Sequence, residues 1–82
     1  MTTKPNLRLN GTAPRELLKQ QMEAMSALLC ARRVIEEAAP KSCDYPLGTF
    51  QAAQDEHQER LRRIALTVRE LDAIAQHIAN TI

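Results

Sequence analysis

The sequence predicts an all-α chain, a two-helix antiparallel hairpin with helices at about residues 13–39 and 49–81, dimerising into a four-helix bundle. Three observations lead there. Only two glycines and four prolines occur in 82 residues, too few for the many tight turns of an all-β fold. Two long stretches free of Gly and Pro flank one segment rich in both. The second stretch carries apolar residues at regular helical spacing.

Residues 1–11 contain Pro5, Asn6, Asn10 and Gly11 and read as a flexible N-terminal arm ahead of a hairpin domain at 12–82. Thr12 is expected to cap the first helix, and Pro14 suits a first turn, where its missing N–H costs nothing. Strong helix formers then run to Ala39, and Pro40 ends them. Leu17, Ala24, Leu28, Ala31, Ile35 and Ala38 form one apolar row; Leu18, Met22, Met25 and Leu29 form a second beside it. A helix with apolar residues on most of its faces wants more than one neighbour, and a second hairpin would supply it.

Residues 40–48 hold Pro40, Pro46 and Gly48 and form the loop. Thr49 is expected to cap the second helix. Its seam is His57, Leu61, Ile64, Val68, Leu71, Ala75, Ile78 and Ile82, spaced 4, 3, 4, 3, 4, 3, 4. Ala65, Ile74 and Ala79 widen the stripe, while Arg62, Arg63, Arg69, Glu70 and Leu66 fall outside it. The expected dimer core is Leu28, Ile35, Leu61, Ile64, Val68, Leu71 and Ile78.

Composition narrows the function classes. Lysine and arginine number 11 against 10 aspartates and glutamates, so a net charge of +1 directs the chain to no polyanion. The longest apolar run, at 27–31, is far too short to span a bilayer. Residues 1–5 lack the apolar segment of a secretion signal, so a cytoplasmic location and no membrane partner are expected. Two cysteines, Cys30 and Cys43, fit neither a disulfide scaffold nor a zinc site, and Cys30 is expected to be buried in the apolar part of helix one.

Most candidate chemistry has a plainer structural reading. His57 sits on the seam without the Glu-x-x-His or His-x-x-x-His spacing of a metal site, and His77 stands alone on the outer face. No metal and no cofactor is expected. Cys43 could approach His57, but nothing supplies an oxyanion hole, so no enzymatic activity is expected. The basic run at 60–63 is balanced by Glu56–Arg60 and Glu59–Arg63 pairs, as helix one is by Arg32–Glu36 and Arg33–Glu37. Direct nucleic-acid binding is disfavoured; a weak form would align Arg62, Arg63 and Arg69 with Lys4 and Arg8.

One cluster stands out. Asp44 and Tyr45 in the loop gather with Phe50, Glu56, His57 and Arg60 at the positive end of the second helix. As a loop clamp, Tyr45 would pack over the helix start and Asp44 would cap an N–H or pair with Arg60. As a recognition site, Asp44, Tyr45, Glu56, His57 and Arg60 would hold a partner protein or an anion.

The order Ala39-Pro40, Asp44-Tyr45, Phe50, Ala53, Glu56-His57 and Arg60, followed by the Leu/Ile seam, resembles a group of small helical proteins of bacteriophages, prophages and their hosts. The resemblance covers about residues 13–82. That group often carries an Asn-Gly-Arg-Asp-Tyr-Tyr-like loop, where this chain has Lys41-Ser42-Cys43-Asp44-Tyr45-Pro46. It implies a context in which small accessory proteins work by binding a host protein or a larger assembly. The function expected is a homodimeric, non-enzymatic protein-interaction module. A helical dimer binding a small anionic ligand or nucleotide is the first alternative, and a weak nucleic-acid-binding dimer the second.

Overall fold

The computed structural model describes residues 2–7 and 11–82. Helix α1 spans Pro14–Glu37, a short 3-10 turn spans Ser42–Asp44, and helix α2 spans Phe50–Thr81. The two helices pack against each other as a hairpin 58 Å long and 22 by 17 Å across. Among the described residues there is no strand.

Helix α1 begins one residue later and ends two earlier than expected. Pro14 takes the first helical position, and Ala13, not Thr12, is the N-cap residue, its carbonyl accepting from the amides of Glu16 and Leu17 at 3.0 Å each. At the other end the Ala38 amide reaches back to the carbonyls of Val34 and Ile35, and Ala39 to Glu36. Pro40 then excludes a further turn, because it has no N–H and biases Ala39 away from helix.

The loop closes on a tight turn in which the Thr49 amide donates to Pro46 O at 3.0 Å. Gly48 sits at φ 88°, the left-handed conformation that the third residue of such a turn adopts and that glycine alone tolerates cheaply. Thr49 precedes α2 as expected but makes no side-chain cap; its hydroxyl donates to Pro46 O at 2.9 Å and so serves the turn instead.

On α2 the expected seam is the inner one. His57, Ala75 and Ile78 are buried, and Leu61, Ile64, Val68 and Leu71 are half-buried; Ile82, the last member, is exposed beyond the helix end. On α1 the inner seam runs between the two expected rows. Met25 is buried and Leu18, Gln21, Leu28, Arg32 and Ile35 are half-buried, whereas Ala24, Ala31 and Ala38 of the first row and Met22 and Leu29 of the second are exposed. The physical reason is width. A single helix covers one narrow stripe, and α2 settles on the middle of a broad apolar arc, leaving both rows as flanks. Gln21 and Arg32 occupy two of these half-buried seam positions despite their polarity.

The flanks have definite sides. A groove between the helices is lined by Arg32, Glu36 and Ala39 from α1 and by His57, Gln58, Leu61, Arg62 and Ala65 from α2. Met22 and Leu29 lie at seven-residue steps before Glu36, so they share this side with Gln58 and Ala65. The opposite side carries Leu17, Ala24, Ala31 and Ala38 from α1 and Arg60, Thr67 and Ile74 from α2.

The side chains buried between the helices should carry the hairpin's stability. Ile78 is 0% exposed, and Ile78→Ala should cost about 3 kcal/mol in urea unfolding. Leu47 at the turn tip is 104% exposed, and Leu47→Ala should stay within about 0.5 kcal/mol.

Candidate functional site

The structure divides the expected recognition cluster among three surroundings. Asp44 and Tyr45 line a hollow of about 450 Å³ beneath the loop, with Glu37, Ala38, Ala39, Pro40 and Lys41. Tyr45 leans on Phe50, ring centroids 6.4 Å apart and planes tilted by 54°, so the loop is stapled to the start of α2. Asp44 accepts from the Cys43 thiol at 3.8 Å. Arg60 pairs with Glu56 at 3.9 Å, one helical turn back, rather than with Asp44, and both lie in solvent. The clamp of Tyr45 over the helix start therefore forms, while the Asp44–Arg60 pair does not.

His57 faces the other way. It is 5% exposed and forms part of the groove between the helices, a space of about 500 Å³. Its Nε2 is buried without a hydrogen-bond partner, as is Gln21 Oε1 on α1. Buried polar atoms are seldom left unmet, so each lowers the stability of the lone hairpin.

The groove's charged rim is self-neutralised. Arg32 Nε holds Glu36 at 3.0 Å, and Arg62 grips Glu59 with Nε at 2.8 Å and Nη2 at 2.6 Å. That two-pronged pair was not among those expected from spacing, which paired Glu59 with Arg63; Arg63 does stand near it, at 3.6 Å. The Arg62 hydrogen bonds, aided by the nearby Arg63 charge, hold the Glu59 carboxyl below the usual glutamate range against the opposing effect of desolvation, and Arg62 is raised in turn. A lowered carboxylate pKa stabilises the fold above the ordinary glutamate range, and that contribution is lost as the pH falls through the lowered value. In this exposed position solvent screens it.

Three further placements differ from expectation or add to it. Cys30 and Cys43 are both free and exposed, so Cys30 lies on the outer face of α1, not in the core. His77 is not alone: it is half-buried, and its Nε2 lies 3.0 Å from Pro5 O, which requires the proton on that nitrogen. The arm thereby touches the outer face of α2, where Lys4 shares a hollow of about 350 Å³ with Ala73, Gln76, His77 and Asn80. A histidine on a polar helix face carries no signal of such a contact in the sequence. Arg8, invoked for a basic patch with Lys4, lies outside the described residues, as do Met1, Leu9 and Asn10 of the arm.

Among the described residues no three His, Cys, Asp or Glu side chains gather within reach of one metal ion. Among the described residues no helix is long and apolar enough to cross a membrane either. No protein-family model, curated protein or solved structure matches the chain. The expected dimer-core residues Leu28, Ile35, Leu61, Ile64, Val68, Leu71 and Ile78 all lie on the inner faces of the hairpin, buried or half-buried.

The unmet nitrogen of His57 predicts an unusual substitution. His57→Leu removes a polar atom that the hairpin leaves unpaired while keeping apolar contact across the seam. It should leave the thermal midpoint unchanged or raise it by about 5 °C. A lowered midpoint in a circular-dichroism melt would contradict this account of the ring.

Proposed function

We propose that the chain is a non-enzymatic interaction module that works by presenting helical faces to other proteins, the first of them a second copy of itself. The surface that the hairpin leaves uncovered carries this reading. A compact monomer of 9.2 kDa exposes about 4,900 Å² by the usual scaling of area with mass. This chain exposes 6358 Å², an excess of about 1,400 Å². A standard protein–protein interface takes about 800 Å² from each partner. Apolar side chains make up part of that surface: Met22 at 55%, Leu29 at 50% and Val34 at 51% exposure stand out of α1.

The groove with Arg32, Arg62 and His57 is the natural place for an anionic ligand, the other class of function weighed. Each of those arginines is already engaged by a glutamate, so the groove offers an anion little unspent positive charge. Charge thus favours the interaction module. In the context that the phage-type resemblance implies, such a module is a cytoplasmic accessory protein that binds and modulates a host protein or assembly.

Native mass spectrometry of the freshly purified full chain tests the reading. A species of twice 9.2 kDa with nothing attached is expected. A bare monomer at micromolar concentration would overturn self-association. A dimer with added mass would point to the ligand-binding class instead.

A further inference from the structure

We infer that the second copy docks on one particular side of the hairpin: the side bearing Ala24, Ala31 and Ala38 of α1 and Ile64, Leu71 and Ile74 of α2. This rests on the self-association proposed above and assigns it a surface. The two sides differ in charge. Along α1 the docking side holds no ionised group from Leu17 to Ala38, whereas the groove side runs from Met22 and Leu29 into the ion-paired Arg32 and Glu36. Along α2 the sides differ less: the docking side carries Arg60, with Glu56, Arg63 and Glu70 at its solvent edge, so the contrast in charge lies on α1. Burying the groove side would desolvate its ion pairs, which costs more than their attraction returns unless the geometry is excellent.

Shape points to a second copy as the occupant. An interface across a two-fold axis must complement itself, because the same patch meets its own image. On this side α1 presents the small, exposed Ala24, Ala31 and Ala38, and α2 the larger, half-buried Ile64, Leu71 and Ile74 beside the exposed Arg60 and Thr67. Turning one hairpin over would set the large residues of each copy against the alanines of the other. Small residues facing large ones let helices approach closely, and the result is a four-helix bundle in which the docking-side flank of the α2 seam is enclosed and the groove-side flank is not. The uncovered area is more than one such interface requires. Met22 and Leu29 stay outside on the groove side, available to a different protein.

The test compares single charges placed on the two sides, all at positions exposed in the hairpin, where glutamate is a good helix former. Sedimentation equilibrium would be run on the full-length wild type, Ala31→Glu, Ala24→Glu, Leu29→Glu and Met22→Glu, with far-UV circular dichroism confirming helix content. We expect a dimeric wild type, a dissociation constant raised by about 100-fold or more in the two alanine variants, and a change under about 5-fold in the Leu29 and Met22 variants. A dimer broken by Leu29→Glu or Met22→Glu but intact in the alanine variants overturns this assignment and leaves self-association standing. A dimer equally weakened, or equally unaffected, by both sets overturns it too. A monomeric wild type overturns self-association along with it.

Discussion

Everything distinctive in this structure descends from a mismatch of widths. Helix α1 carries apolar residues over more of its circumference than α2 can cover. Two packed helices share one stripe, and here that stripe is Met25, Leu28 and Ile35 against Ala75, Ile78 and their neighbours. Polar side chains fill the gaps, with Gln21 and Arg32 on one helix and His57 on the other. The remainder of the arc stays in water, where hydration opposes it. Among the described residues no third helix covers that arc, which is the feature on which the proposed self-association rests.

That same mismatch explains which parts were legible in the sequence. The seam of α2 could be read off position by position because its large residues repeat in one narrow stripe with charges on either side. The seam of α1 could not, because two rows of equal apolarity lie side by side and nothing in residue type says that α2 will sit between them. Alanine is the extreme case: Ala24, Ala31 and Ala38 serve equally as core or as surface. The helix ends were legible from Pro14, Pro40 and Gly48, and they slipped by a residue or two where the cap proved to be Ala13.

The candidate site shows where reading by proximity in the chain stops. Glu56–Arg60 and the Tyr45–Phe50 contact are local, four and five residues apart, and local geometry nearly dictates them. Whether His57 faces Asp44 or the groove depends on how α2 is rotated about its axis, which the whole seam sets. The grip of Arg62 on Glu59 and the seat of Pro5 on His77 likewise need three-dimensional placement. The first competes with an equally well spaced Arg63; the second joins residues 72 apart. The ion pairs that form on the surface, meanwhile, each lie within one helix, and the face of α1 bearing Leu17, Ala24, Ala31 and Ala38 stands out as the uncharged one.

The most direct test of the central claim is the dependence of the thermal midpoint on protein concentration, followed by circular dichroism over a hundredfold range. If the apolar arc of α1 is completed by another copy, unfolding includes dissociation, and the midpoint must rise steadily with concentration. A midpoint that stays constant across the range would mean that the lone hairpin is the folded unit, and that the width of its apolar arc is borne without a partner.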